Sequence, residues 1–255
     1  MLVPVDALAK TFGVRPTGVL HVGAHEAEEW EDYQRFGWGP VIWVEMLPEK
    51  AELLRTRFAG NKQTTVINAA CWDEDGKRLP LFRANNGQSS SLLAPDHHLQ
   101  AHPTVTFSTE GSMTTSRLDS LLPKQATFDF LNFDIQGAEL NALKGLGSRL
   151  AHVSWAYLEI NRKPLYAGCA LLPDLDQFLA EQGFRRVVLR MAGNSGWGDA
   201  LYANVRKLGF ARILKLQAKG VIFNLGQDLS PTIQGVAAGV SKFTSKVRRL
   251  AGRLH

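Results

Sequence analysis

The chain has only two cysteines in 255 residues, Cys71 and Cys169. Their spacing fits neither a redox pair nor a zinc site, which argues against a disulfide-stapled scaffold and for a reducing compartment. No stretch reaches the about 18 consecutive apolar residues of a membrane span. Met1 to Pro16 lacks a basic start followed by a long apolar run, so no secretory leader is expected and the expected location is cytoplasmic. There is no internal repeat and no G-x-G-x-x-G turn, and the missing glycines disfavour a bound dinucleotide. Acids are absent from one region in particular. From Leu229 to His255 the charged residues are Lys242, Lys246, Arg248, Arg249 and Arg253, with no Asp or Glu. This tail carries the whole formal charge of +5, so the rest of the chain sums to zero. The body has no aromatic-rich basic motif, and nucleic acid is not an expected partner.

What is present is an alternation of strand and helix patterns. Hydrophobic residues at 45% and charged ones at 21% suit one globular domain with a full core. Val19 to Val22 is a short apolar run that stops at Gly23-Ala24, and a charged segment from Glu26 to Arg35 places Trp30, Tyr33 and Phe36 on one helical face. Val41 to Val44 is a second strand, closed by Glu45. Further strands are expected at 65–68, 128–134, 153–160, 184–190 and 200–205, with helices at 5–12, 49–58, 136–146 and 171–182. Between 76 and 122 the periodicity weakens, and short alternating runs occur at 79–83, 105–109 and 113–117. Right-handed crossovers then predict a doubly wound, mostly parallel seven-stranded α/β sheet of Rossmann-like type, with an antiparallel strand in the final pair. The expected domain spans residues 1–228, followed by the basic tail 229–255.

Strand, small-residue turn, helix, strand and acid is the plan of a nucleoside-binding βαβ unit. Gly23 allows close backbone approach, and an acid ending the second strand accepts bonds from ribose hydroxyls. Glu45 follows Gly23 by 22 residues, near the roughly 20 of that plan. Glu26, Glu28 and Glu29 at the helix start would repel a pyrophosphate, so the turn suits a nucleoside without phosphate. Plainer readings exist for each residue. Gly23 suits any tight turn, Glu45 a solvated strand end, and Asp134 a cap on the next helix. Glu139 reads equally as an acid bonded to backbone N–H groups, and His21 and His25 as packed histidines. His98 and His102 have the spacing of a zinc pair, but Pro103 and the lack of nearby acids argue against it. Asp134, Glu159 and Asn161 offer oxygen ligands, yet no Asp-Asp pair follows Asp134, and activity without a metal is expected.

HVGAHEAEE from His21, WVE ending at Glu45, NAACWDEDG from Asn68, QSSSLL from Gln88, TSRLDSLL from Thr115, FLNFDIQGAELNALKG from Phe130 and WGDALYAN from Trp197 occur in that order. Together they resemble the FkbM-type S-adenosylmethionine-dependent methyltransferases over roughly residues 18 to 206. The resemblance implies a class I methyltransferase fold and S-adenosylmethionine as cofactor. It places the donor against His21, Gly23, Ala24, Glu45, Met46, Ala70 and Asp73, with Asp73 toward the adenine amino group. Asp134 is the leading candidate for the base, with His25 and Glu159 as further candidates. The implied acceptor is a hydroxyl of a small molecule or saccharide, first of all a sugar of a glycan or glycolipid. Two other readings remain at this stage: a nicotinamide-dependent oxidoreductase, and a non-catalytic nucleoside-binding protein. In the tail, Val236, Val240, Phe243, Val247, Leu250 and Leu254 recur at steps of four and three between basic residues. Such a stripe suits docking on the body or peripheral contact with the inner face of a membrane.

Overall fold

The computed structural model describes residues 1–226, so the tail expected from 229 onward lies outside the described residues. Ten strands form two sheets: β1 Val19–Val22, β2 Val41–Glu45, β3 Thr64–Asn68, β4 Ala70–Cys71, β5 Arg78–Ala84, β6 Phe107–Ser116, β7 Phe130–Phe133, β8 Trp155–Asn161, β9 Phe184–Met191 and β10 Trp197–Asn204. The helices are α1 Val5–Lys10, α2 Trp30–Arg35, α3 Pro48–Arg57, α4 His98–Ala101, α5 Leu118–Leu121, α6 Glu139–Gly145, α7 Leu172–Glu181 and α8 Val205–Leu208; residues 210–226 form a last helix, α9.

β1, β2, β7 and β8 are buried at every position, as expected of parallel strands covered on both faces. They lie at the centre of a seven-stranded sheet of order β3-β2-β1-β7-β8-β10-β9. All neighbours are parallel except β10, which runs antiparallel to both β8 and β9. Period-two alternation divides the core. Trp43, Phe130 and Tyr157 pack on one face with Phe12, Trp30 and Tyr33, whereas Val44, Leu131 and Leu158 pack on the other with Leu143 and Leu175. The sequence-based sheet, including its antiparallel final pair, is the one observed.

Three details differ. The helix expected from Glu26 begins at Trp30, because His25 and Ala27 take positive φ of 44° and 56° and the intervening residues are turns. The weakly periodic middle is a second sheet, β4-β6-β5. There the runs 105–109 and 113–117 join into the single strand β6, because Gly111, at φ 62°, carries the chain through an irregular register. The third is α9, which buries Ile213 and Leu216 against the main core.

Candidate active site

Crossover connections put the loops after β1, β2, β7 and β8 at one edge of the sheet, the edge where open α/β sheets bind ligands. Gly23 turns the chain at φ 86°, and a Cβ there would lie 1.8 Å from the Asp134 carbonyl oxygen. No other residue fits this crossing of two loops. The N–H groups of Gly23 and Ala24 both donate to the Val44 carbonyl, at 2.9 and 3.1 Å. Glu45 at the end of β2 is buried, and its carboxylate is fixed by two backbone donors: His25 N–H to Oε2 and Leu47 N–H to Oε1, each at 2.8 Å. Burial raises its pKa, and those two bonds act the other way. A carboxylate accepts about four hydrogen bonds, so Glu45 retains acceptor capacity for a ligand.

Two cavities meet at this edge. A narrow slot has Glu45 among apolar walls that include Val22, Val44, Leu47, Leu92 and Ala138. Beside it a wider cavity of about 400 Å³ is lined by Glu28, Glu29, Glu159, Asp199, Tyr157 and Trp197, among others. Gly23, His25, Gln88, Asp134 and Gln136 border both. No described residue lining either cavity is Lys or Arg.

Gln136 organises the acids between them. It sits at φ 55°, uncommon for a residue with a side chain, and its Nε2 donates to Asp134 Oδ1 at 2.6 Å and to Glu159 Oε2 at 3.1 Å. Tyr166 donates its hydroxyl to Gln136 Oε1 at 2.7 Å, and Ser91 Oγ donates to the Gln136 carbonyl at 2.8 Å. Burial, followed by the charges of Asp134, Glu139 and Asp199, pushes Glu159 well above the ordinary carboxyl range. Its surroundings therefore disfavour the charged form. Asp199 is raised by burial as well, and accepts from Tyr157 at 2.5 Å and the Leu2 N–H at 2.6 Å. Across the cavity, the contact of His25 Nδ1 with Glu28 at 2.8 Å holds the Glu28 carboxyl down at about 2.

The family model described as "Methyltransferase FkbM domain" matches residues 21–186, well over half of the chain. The chain belongs to the FkbM methyltransferase family. No curated protein matches it. Solved structures with a similar overall course include a ribosomal protein L11 methylase from Lactobacillus delbrueckii subsp. bulgaricus, at 14% identity over 78% of each chain and a TM-score of 0.43. Another is the magnesium protoporphyrin IX methyltransferase of Synechocystis PCC 6803 with bound S-adenosylmethionine, at 11% identity over 78% of this chain and 74% of that one, TM-score 0.44. A third is a methyltransferase dependent on the same cofactor from Aquifex aeolicus, at 14% identity over 78% of this chain and 88% of that one, TM-score 0.42. At such values no residue role is carried across.

An FkbM-family enzyme is an S-adenosylmethionine-dependent methyltransferase, and the residues present fit that cofactor. Apolar walls suit the faces of a purine, the anchored Glu45 suits a ribose diol, and the absence of Lys and Arg suits a nucleoside that carries no phosphate. Of the residues expected to serve the site, Gly23, His25 and Asp134 border both cavities, Glu45 and Met46 line the slot, and His21 and Glu159 line the wider cavity. His21 is buried, and its Nδ1 accepts from the Asn132 amide at 3.3 Å. Burial lowers its pKa to about 4, so it is a neutral, packed imidazole. Ala24, Ala70 and Asp73 line neither cavity. The Asp73 carboxylate accepts from Asn141 at 3.0 Å and its carbonyl from Arg117 at 2.6 Å, which ties down the loop after β4; Cys71, not Ala70, borders the slot.

The remaining readings also find places. Glu139 is the structural acid of the plainer reading, since its Oε1 accepts from the N–H groups of Ile135 and Gly137 at 3.0 and 3.1 Å. The His98 and His102 rings lie tilted at 43° with centroids 4.8 Å apart, and among the described residues they join no cluster of three metal-ligating groups. The side chain of Asn161 is buried without a hydrogen-bond partner and borders neither cavity. Sequence reasoning missed Gln136, Tyr166, Gln88, Trp197 and Asp199. The sequence does carry one trace of Gln136: it stands directly before Gly137 in the turn that starts α6.

Proposed function

We propose that this FkbM-family enzyme methylates a hydroxyl of a neutral sugar, with the acceptor in the wider cavity and the donor in the adjoining slot. The observation that carries this is the shared border: Asp134 faces both cavities where they meet. Bound S-adenosylmethionine supplies an electrophilic methyl group on a sulfonium. The chain's own task is to hold an acceptor oxygen in line with it and to take up the hydroxyl proton. Asp134 is the base. The Gln136 amide fixes its carboxylate, and the surroundings of Glu159 disfavour a second negative charge beside it. Glu45 holds the ribose hydroxyls. Carboxyl, amide and phenol groups with Trp197 suit a polyhydroxylated ring, whereas a lining without Lys or Arg disfavours phosphorylated or carboxylated acceptors.

A sugar of a glycan or glycolipid follows as the acceptor, and the basic tail 229–255 would bring the enzyme to an anionic membrane face. Among the described residues no helix is long and apolar enough to cross a membrane. The test is transfer of labelled methyl from S-adenosylmethionine to a panel of neutral, phosphorylated and carboxylated saccharides, with and without EDTA. Labelling confined to neutral sugars, insensitive to chelation, is expected. Transfer only to anionic acceptors overturns the acceptor class, and loss on chelation restored by Mg²⁺ overturns metal independence.

A further inference from the structure

Eight large hydrophobic side chains stand exposed among the described residues, and five belong to α9: Phe210, Leu214, Val221, Ile222 and Leu225, each 52–69% exposed. At 3.6 residues per turn, Phe210, Leu214, Val221 and Leu225 fall within about 60° of arc, with Ile222 about 60° beyond it. A second face, about 120° round the helix, is closed. Ile213 and Leu216 are buried, and a Cβ on Gly220 would lie 2.1 Å from the Val187 carbonyl, so α9 rests directly on β9. It is therefore apolar on two faces, one of them covered by the domain.

Charge selects what meets the other. The segment 205–226 holds Arg206, Lys207, Arg212, Lys215 and Lys219 and no acid. Lys219 Nζ donates to the Thr11 carbonyl at 2.8 Å, and the Arg212 guanidinium lies 5.9 Å from the centre of the Trp155 ring, so these two flank the helix on the side toward the body. A second copy of the same face would bring like charges together, and so would the acid-free stretch 229–255. We propose that α9 lies in the surface of a bilayer rich in anionic lipids, its exposed stripe among the acyl chains and exposed Lys215 at the headgroups.

The test uses the full chain and vesicles of phosphatidylcholine, alone or mixed with phosphatidylglycerol. Binding to the mixed vesicles only, weakening with salt, is expected. Leu214→Glu with Val221→Glu changes exposed positions and should lower binding tenfold or more, while the melting temperature and affinity for S-adenosylmethionine hold. Lys215→Glu should lower binding about fivefold or more. Vesicle binding is read independently of methyl transfer, so it stands or falls apart from the acceptor reading. A native chain that ignores anionic vesicles overturns the proposal. So does a double variant that binds as well as the native chain, which would assign binding to residues 229–255. A native dimer that the double variant dissociates, without vesicle binding, would make the occupant a second copy.

Discussion

The Tyr166 hydroxyl donates to Gln136 Oε1 at 2.7 Å, and this contact turns the amide nitrogen of Gln136 toward Asp134 and Glu159. A reversed amide would set its oxygen against the Asp134 carboxyl oxygen. Tyr166 is therefore a positioning residue for the proposed base, 30 residues beyond Gln136 in sequence.

Tyr166→Phe removes the hydroxyl and leaves the ring. With the amide free to turn, kcat should fall about tenfold, the scale of one hydrogen bond worth roughly 1–1.5 kcal/mol. Affinity for S-adenosylmethionine should stay within about twofold, since the hydroxyl's contacts are to Gln136 and Ser89. Steady-state kinetics beside calorimetry measures both. An unchanged kcat would remove Tyr166 from the account.

Asp134→Asn keeps the shape and the acceptor oxygen facing Gln136 but removes the basicity. A general base contributes about 10²–10⁴-fold in rate, and kcat should fall by that order with little change in donor affinity. Were Asp134 only a helix cap, Asn would replace it about as well and turnover would persist. Single-turnover transfer to the identified acceptor distinguishes the two. A near-native rate would move the base to His25 or Glu159.

Glu139 predicts a pH effect on stability rather than on chemistry. Burial raises its folded pKa from 4.5 to about 7, so the fold favours the neutral form. Its contribution is full below the ordinary value near 4.5 and is lost as pH rises through about 7. Glu139→Gln keeps the Oε1 that accepts from Ile135 and Gly137 and has no proton to lose. The variant should be the more stable at pH 8, by on the order of 1–3 kcal/mol, and the two should converge near pH 5. Thermal melts across that range check it, and parallel curves would contradict it.

The fold was largely legible because the central strands announce themselves. Val19–Val22, Val41–Glu45 and Phe130–Phe133 are mostly apolar runs, and Gly23, Glu45 and Asp134 mark their ends. The Gly23 turn and the buried Glu45 at the end of β2, which follow from this plan, were legible with it. The polar network around Gln136 was not, because Asp134, Gln136, Glu159 and Tyr166 meet only through tertiary contacts. The bond from Asn141 to the Asp73 carboxylate was not legible either, because the two residues are 68 apart in sequence. α9 escaped notice for a different reason: apolar residues on both of its faces blur the 3.6-residue period.

The central claim is that the slot beside Glu45 holds the donor, and calorimetric titration with S-adenosylmethionine tests it most directly. The native chain should bind at micromolar level and should not bind NAD measurably. Glu45→Ala should weaken donor binding by roughly 1–3 kcal/mol, the scale of lost bonds to a charged group. Unchanged affinity in a folded Glu45→Ala, or measurable NAD binding by the native chain, would contradict it.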